Sequence, residues 1–245
     1  EWWAADYAGP PKVSLHQSLR GGLGLKLGDM LTFDVFGDQQ VLDAYEAERQ
    51  PITEQVSHFV MNHAQKMIKA RSAVPAEIEA NNEAGQAARQ HMGQEAYALN
   101  VQQFCCAGLN FGYFYEKSPI IAFDEESAPA YTMGDFTAST VPGCRAPHFW
   151  LNDGRSLYDE LGPAYTLMVL DASAPVKPLL EAAQQAQVPL KVLVLSEQSE
   201  VPSAYTHKLL ICRTDQHVVW RGDDCTVGSV ELMQKLRGLS EKAVA

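Results

Sequence analysis

The stretch 142-PGCRAPHFWLNDGRSLYDELGPAYTLMVLD-171 contains the clearest structural signals in the chain. The apolar-aromatic run from His148 to Leu151 predicts a first strand. Residues Asn152 to Gly154 favour a tight turn after it, because glycine tolerates a positive φ and Asx side chains bond their own backbone. Ser156 then caps a short helix, which Gly162 and the proline after it bring to an end. The continuous apolar run from Tyr165 to Leu170 predicts a buried strand. The stretch as a whole is typical of the entrance to an α/β unit.

The residues after this stretch predict the rest of a small α/β domain. A helix is expected from Ala174 to Gln187, and a buried strand of the parallel type from Leu190 to Leu195. The segments Leu209 to Arg213 and His217 to Trp220 form a predicted hairpin, and Val227 to Leu236 a final helix. This order is that of a thioredoxin-like domain, whose parallel pair implies a right-handed crossover.

The cysteines argue against thioredoxin chemistry. Disulfide exchange needs a C-x-x-C pair at a helix N-terminus, where the dipole stabilises the thiolate, and the chain between Tyr165 and Val188 has no cysteine. The number of cysteines is odd, and their spacing does not match a disulfide framework, which favours reduced thiols in a cytosol. Adjacent cysteines do not form an unstrained disulfide, and Cys105 and Cys106 are expected to be small buried hydrophobes. The five cysteines are Cys105, Cys106, Cys144, Cys212 and Cys225.

Composition sets further bounds. The 245 residues are 46% hydrophobic and 20% charged, which is typical of a globular protein with one large domain or two small ones. The net charge of −11 argues against binding to nucleic acid or to an anionic membrane surface. No apolar run reaches the roughly 18 residues that span a bilayer, and the N-terminus has no signal-peptide pattern. We therefore expect a cytoplasmic protein.

The region before the stretch is predicted to be mainly helical. Apolar residues recur at helical spacing from Leu42 to Arg71, and Pro51 is expected to break this region into two helices. His58 and His63 are five residues apart, so they lie about 140° apart on a helix and do not share a metal-ligand face. They are interpreted as a surface histidine and a histidine at the edge of the core.

Two less regular regions follow. Residues 72–93 are polar and alanine-rich, which indicates a loop and a solvated helix. Phe111 to Tyr115 and Ser118 to Asp124 predict two strand-like runs around a turn. Their aromatic side chains are more often part of a core than of an aromatic-substrate pocket, and both interpretations stay open.

Three motifs resemble one enzyme family, in that family's order. PGCRAPHFWL followed by DGRSLYDELG resembles the entry to the C-terminal, thioredoxin-like domain of class A FAD-dependent aromatic monooxygenases. These are hydroxylases of phenols, hydroxyphenylpropionates and polyketide aromatics. RTDQHVVWRG (Arg213 to Gly222) resembles the late hairpin of that domain, and LDAYEAERQP (Leu42 to Pro51) the helix that closes the family's FAD domain. The resemblance extends from about Val41 to the C-terminus.

The resemblance implies a fold and a set of signature residues. The expected class is α+β or α/β, with a helical remnant of the FAD domain before a thioredoxin-like domain that lacks C-x-x-C. Arg145 and His148 could contact a partner or substrate, but structural roles are favoured for both. The signature residues, all expected to be structural, are Arg145, Pro147, His148, Asp153, Gly154, Arg155, Asp215 and Trp220.

The first 40 residues do not belong to this pattern. LGLKLGDMLTFDV (Leu23 to Val35) resembles the extracytoplasmic portion of ABC-transporter permeases, and we interpret it as a displaced or fused segment without a transport role. Gly21 to Gly28 is glycine-rich, but its third glycine falls one residue late for G-x-G-x-x-G and no strong strand precedes it. The predicted domains are therefore 1–40 (permease-like), 41–140 (end of the FAD domain and linker) and 141–245 (thioredoxin-like).

The functional expectation follows from the resemblance. The family implies FAD, NAD(P)H and an aromatic small-molecule substrate, with the flavin performing the oxygen chemistry. We expect the C-terminal portion of such a hydroxylase, inactive alone and without tight binding of FAD, because the pyrophosphate motif is missing. The alternative is a non-catalytic thioredoxin-like interaction or dimerisation module, with a homodimer possible and neither nucleic acid nor membrane as partner.

Overall fold

The protein is represented by a computed structural model that describes residues 39–239. The expectations for the permease-like segment and for Gly21 to Gly28 lie outside the described residues. The architecture is mixed α+β, with a four-stranded mixed sheet and flanking helices, so the predicted fold class is confirmed.

Helix α1 spans Gln39–Ser72 and continues through Pro51. The predicted break at this proline is therefore wrong. Proline removes one backbone hydrogen bond and crowds the preceding turn, but α1 is held on both sides of it. Ala44 and Glu48 are buried before the proline, and Ile52 packs against the core directly after it.

The region between α1 and the sheet is less regular than predicted. A 3-10 turn at Ala76–Glu79 leads into α2, Glu83–Phe104, as expected for a loop followed by a helix. The two strand-like runs do not form strands, because the backbone of this segment bonds along the edge of the sheet instead. The Ala122 N–H donates to Val219 O at 2.9 Å, and the Gly143 N–H donates to Val218 O at 2.8 Å.

The sheet has the predicted strand order along the chain. Its spatial order is β2-β1-β3-β4, with β1 and β2 parallel and the other neighbours antiparallel. The remaining helices are α3, between β1 and β2, and α4, after β4. The bounds are β1 Tyr165–Val169, α3 Lys177–Gln185, β2 Leu190–Val194, β3 Leu209–Arg213, β4 Val218–Gly222 and α4 Ser229–Arg237.

Both faces of the sheet are covered. On one face, Leu167 and Ile211 pack with Leu179 of α3 and Met233 of α4. On the other face, Met168 and neighbouring strand residues pack against side chains of the opening stretch, residues 142–171. Successive strand residues alternate between the two clusters, as the two-residue period of a strand requires. The core therefore consists of two layers separated by the sheet.

The opening stretch forms a buried strand and a turn, but not two strands. Tyr165–Val169 is fully buried, and Ser156 accepts a hydrogen bond from the Tyr158 N–H at 3.2 Å at the start of a 3-10 turn. The expected strand around Phe149 is reduced to a single bridge between Trp150 and Ser156. Within residues 39–239, no helix combines the length and the apolar character that crossing a bilayer requires.

Candidate functional site

A buried charged cluster lies where α1 meets the turn between β3 and β4. Arg213, at the end of β3, donates from both terminal nitrogens to the Glu48 carboxylate, at 2.8 and 2.9 Å. The other carboxylate in the cluster is Asp215, which accepts from the same guanidinium at 2.6 and 3.1 Å. Glu48 is only 4% exposed. The side chain of Arg213 thus joins two carboxylates, one of them 165 positions away in the sequence.

The hairpin turn fixes the position of Asp215. The Gln216 N–H donates to Arg213 O at 3.0 Å, and the Arg213 N–H donates to His217 O at 2.9 Å. Gln216 has a φ of +72°, so the turn is a three-residue loop with a left-handed third residue, a common way to close a hairpin. Asp215 also accepts the His217 N–H at 3.3 Å, which turns its carboxylate toward α1.

The protonation of the cluster follows from its contacts. Burial alone would raise the pKa of Asp215, but hydrogen bonds from His217 and Arg213 outweigh it, and the pKa lies far below its ordinary value. Burial would lower the pKa of Arg213, but its bonds to Glu48 and Asp215 raise it instead. Burial, followed by the charge of Asp215, raises the pKa of Tyr115, whose hydroxyl donates to that carboxylate at 3.2 Å. At neutral pH Arg213 and Asp215 are therefore charged, and the Tyr115 hydroxyl keeps its proton.

His217 is the one member with an unused polar atom. Its ring is 0% exposed and stacks on Tyr115 with 4.3 Å between centroids. Its Nδ1 lies 3.0 Å from Asp215 O, while Nε2 has no hydrogen-bond partner among the described residues. A buried nitrogen without a partner is costly, so the ring is held in place by its stacking on Tyr115 and by the contact of Nδ1 with Asp215.

Arg145 continues the cluster toward the opening stretch. It donates from Nε to Gln216 Oε1 at 2.6 Å and from a terminal nitrogen to Asn110 O at 3.2 Å. Its guanidinium also lies 5.1 Å from the ring centroids of both Phe111 and Tyr158, which is cation–π geometry. The predicted signature residues Arg145 and Asp215 are thus brought to the same hairpin turn.

His148 and Pro147 lie on the far side of Tyr158. The His148 ring packs edge-on against Tyr158 at 5.0 Å, and its Nε2 lies 2.9 Å from Ser156 Oγ. Pro147 O accepts the Tyr205 hydroxyl at 2.6 Å. The contacts of His148 join the start of the opening stretch to its own turn, and that of Pro147 joins it to the loop before β3.

The remaining signature residues lie elsewhere. Asp153 accepts from Arg155 at 2.8 Å within an exposed turn, in which Gly154 has a φ of +83°. Arg155 also contacts Glu160 at 2.5 Å. Trp220 packs, partly buried, against the core face that α3 and α4 cover. Among the hydrogen bonds and ion pairs of residues 39–239, none joins these four residues to Arg213, Glu48 or Asp215.

Of the charged cluster, only Asp215 was among the predicted site residues. Glu48 and Tyr115 were not singled out, because their partners are distant in the sequence. Arg213 and His217 were noted only as bounds of the predicted hairpin strands. One signal was present in α1: Ala44, Glu48 and Ile52 follow each other at a spacing of four, so a carboxylate stands on the stripe that faces the core. A buried carboxylate of this kind needs a cationic partner.

The cysteines and histidines of residues 39–239 form neither a disulfide nor a metal-binding group. All five cysteines are free, and burial raises the pKa of Cys144 to about 11 and that of Cys212 to about 12. Cys105 is exposed, so the expectation that it is buried is wrong. His63 is buried and His58 exposed, as predicted. No group of three or more His, Cys, Asp or Glu residues within 39–239 is arranged to hold a metal ion.

One cavity of about 300 Å³ lies between α1, α2 and the linker. It is smaller than a dinucleotide cofactor requires, and its only formal cation is Lys66. The residues that line it are Phe59, Asn62, His63, Lys66, Leu99, Gln102, Thr132 and Met133.

The described residues do not fit the pyrophosphate of a flavin. Such a site needs glycines between a strand and a helix N-terminus. The loop from β4 to α4 has this position, but it has one left-handed glycine, Gly228, and carries Asp223 and Asp224, whose charges would repel a diphosphate. Residues 39–239 thus contain buried ion pairs at the β3–β4 turn, and no loop among them fits the diphosphate of a coenzyme.

Comparison with known proteins agrees with the motifs. Residues 139–241 match the family described as "Aromatic-ring hydroxylase, C-terminal". The chain is 30% identical to the FAD-dependent monooxygenase opdD of Penicillium oxalicum, over 92% of this chain and 47% of opdD. It is 27% identical to the FAD-dependent monooxygenase apdD of Emericella nidulans, over 90% of this chain and 39% of apdD. The chain thus spans about half the length of these relatives, or less.

The fold also matches solved structures. A structure of the rebeccamycin biosynthetic enzyme RebC with reduced flavin superposes with a TM-score of 0.70 at 24% identity. The superposition covers 84% of this chain and 38% of RebC.

Proposed function

We propose that this chain, whose residues 139–241 match the family described as "Aromatic-ring hydroxylase, C-terminal", is the C-terminal portion of an FAD- and NAD(P)H-dependent aromatic hydroxylase. In this proposal residues 41–140 are the end of an FAD domain with its linker, and residues 141–245 are the thioredoxin-like domain. The chain on its own neither binds FAD tightly nor hydroxylates an aromatic ring. The substrate of the whole enzyme would be an aromatic small molecule.

The observation that supports this proposal most directly is the pairing of Glu48 with Arg213. Glu48 lies in the motif that resembles the closing helix of an FAD domain, and Arg213 opens the motif that resembles the late hairpin. The two motifs meet through two hydrogen bonds of 2.8 and 2.9 Å in a buried setting. Such a contact is expected between two regions of one hydroxylase. Two segments joined by chance would not be expected to bury a complementary ion pair.

The signature residues support a structural role in this proposal. Arg145, His148 and Asp215 each make internal contacts that fix the opening stretch or the hairpin turn. None of them faces the cavity near α1 and α2. The flavin would supply the oxygen chemistry in a whole enzyme, and this chain would supply the domain that packs beside it. A cytoplasmic location is proposed with it, because the thiols are free.

The experiment is a flavin-binding measurement on the purified chain. We expect no flavin absorption band after purification, and no saturable quenching of flavin fluorescence when FAD is added. The matched control is a full-length relative such as opdD, purified in the same way and expected to be yellow. A stoichiometric flavin in the purified chain would overturn the proposal that the chain alone lacks the site.

A second candidate function is a non-catalytic interaction or dimerisation module. One edge of the sheet favours it, because no residue between 39 and 239 pairs with the outer side of β2. Such an edge can pair with another strand whether or not the parent protein is a hydroxylase.

A further inference from the structure

The two edges of the sheet are treated differently. The β4 edge is covered by the linker, since Ala122 and Gly143 donate to the carbonyls of Val219 and Val218. The β2 edge has no such cover, and no described residue bonds to the outer side of this strand. An uncovered edge is a template for another strand, and proteins usually protect it.

The backbone of β2 shows which groups are free. Tyr165 N–H donates to Pro189 O at 3.3 Å, and Leu195 N–H donates to Val169 O at 2.7 Å. Odd-numbered residues of this segment therefore bond to β1. Because peptide groups alternate in direction along a strand, the N–H and C=O groups of Leu190, Val192 and Val194 point away from the sheet.

The side chains of β2 do not protect the edge. Val192 is 38% exposed and Val194 is 59% exposed, and neither carries a charge. The strand Leu190–Val194 contains no proline, and its bonds to β1 run without a bulge. Its one charged residue, Lys191, is occupied by Glu160, since its Nζ donates to Glu160 O at 2.6 Å and lies 3.7 Å from Oε2. Of the devices that normally discourage strand addition, this edge has a short strand and one lysine that is already paired, and the described residues supply no proline, bulge or covering segment.

We propose that β2 pairs antiparallel with β2 of a second copy of this chain, across a two-fold axis at Val192. Only residues of the same parity can exchange both hydrogen bonds, and centring the pair on Val192 lets all three residues with free groups, Leu190, Val192 and Val194, do so. Val192 then faces Val192 of the second copy, and Leu190 faces its Val194. The pairing continues the sheet through both copies.

The register is also self-complementary in charge. On the opposite face of the strand, Lys191 faces Leu193 of the second copy, so the two lysines are not directly opposed. Like charges directly opposite in a strand pair are destabilising, and opposed apolar β-branched pairs are favourable. A second copy therefore fits this edge without placing like charges against each other.

The expected dimer is weak. Stable interfaces bury about 1,200–2,000 Å² in total, and pairing two five-residue strands buries less than that. We expect a reversible dimer with a dissociation constant on the order of 10–100 µM.

The experiment is analytical ultracentrifugation of the full chain over concentrations from about 5 to about 500 µM, which bracket that constant. The wild type is expected to shift from monomer to dimer across this series. Val192→Lys and Val192→Glu each place two like charges directly opposite in the dimer, so each is expected to weaken self-association at least about tenfold. The control is Val227→Lys, at a 91% exposed valine outside β2, which should leave association unchanged.

A mixture of the two variants distinguishes a lost contact from a lost fold. In an equal mixture of Val192→Lys and Val192→Glu, the introduced lysine of one copy would face the introduced glutamate of the other. The mixture should therefore form a heterodimer, although neither variant associates well alone. If either variant fails to fold, Val194→Lys and Val194→Glu are measured singly, since each introduced charge would face Leu190 of the second copy and is expected to weaken the dimer. A wild type that stays monomeric at every concentration, or a dimer that the β2 substitutions leave unchanged, overturns the proposal. The flavin measurement does not bear on this result.

Discussion

Replacing Glu48 by glutamine tests whether the buried ion pair holds α1 to the sheet. The substitution keeps the shape of the side chain and removes its charge. It also turns an amide N–H₂ group toward a terminal nitrogen of Arg213, where a carboxylate oxygen accepted a hydrogen bond at 2.9 Å. Ser118 Oγ, which donates to Glu48 at 2.6 Å, keeps a possible acceptor.

The expected loss is about 3 kcal/mol in the free energy of unfolding. Breaking a buried ion pair by removing one partner costs roughly 3–5 kcal/mol, because a charge is left uncompensated. The lower end applies here, since Asp215 still neutralises Arg213 at 2.6 Å. The assay is urea unfolding followed by far-UV circular dichroism, with amide hydrogen exchange to locate the change. Exchange should increase in α1 and in the β3–β4 turn before it increases in β1.

Two companion variants give the expected order of effects. Arg213→Met leaves both Glu48 and Asp215 without their shared partner, so it should cost more than Glu48→Gln. Glu46→Gln, at an exposed position in the same helix, should change stability by less than about 0.5 kcal/mol. If Glu48→Gln costs no more than Glu46→Gln, or if exchange in α1 is unchanged, the ion pair does not hold the helix and the reasoning is refuted.

Two further predictions concern backbone and pH. Gln187, just after α3, has a φ of +54°, so Gln187→Gly should raise the free energy of unfolding by about 0.5–1 kcal/mol, whereas Gln184→Gly inside the helix should lower it by about 1 kcal/mol, both measured by urea unfolding. If both substitutions changed the free energy of unfolding in the same direction, this prediction would be contradicted. Asp215 has a depressed pKa in the fold, so it stabilises the protein above its unfolded pKa of about 3.9, and this contribution is lost as pH falls. The stability gap between wild type and Asp215→Asn should therefore be widest near neutral pH and narrow below about pH 4, and a constant gap would contradict the assignment.

The regular part of the domain was predictable because its signals are local. Turn residues, an apolar run and a two-residue period gave β1, the β3–β4 hairpin and the helices near their observed bounds. The hairpin depends on Gln216, which adopts a left-handed φ of +72° although it is not glycine. Its side chain bonds to Arg145, and that tertiary contact offsets the local cost.

The errors have a common physical origin in long-range contacts. Pro51 was expected to end a helix, but burial of Glu48 and packing of Ile52 hold both sides of it in one helix. The run around Phe114 has strand-like composition, but this part of the chain covers the β4 edge without forming a regular strand. β2 was expected to be buried and is instead an exposed edge, because the apolar run alone does not show which strand lies outermost.

The contacts of α1 explain why the Glu48 prediction is decisive for the proposed function. An amphipathic helix gains most of its stability from the packing of its apolar face. In α1, Met61 and Ile68 are exposed. The second half of the helix contacts α2, through His63 and Met67 near Gln103, and the linker, through Phe59 against Tyr131. The first half therefore supplies the attachment to the sheet, and Glu48 is the buried charge within it. If the pair with Arg213 stabilises the protein as expected, the two hydroxylase-like motifs belong to one folded unit, whereas a helix that separates freely would leave the thioredoxin-like domain to be interpreted alone.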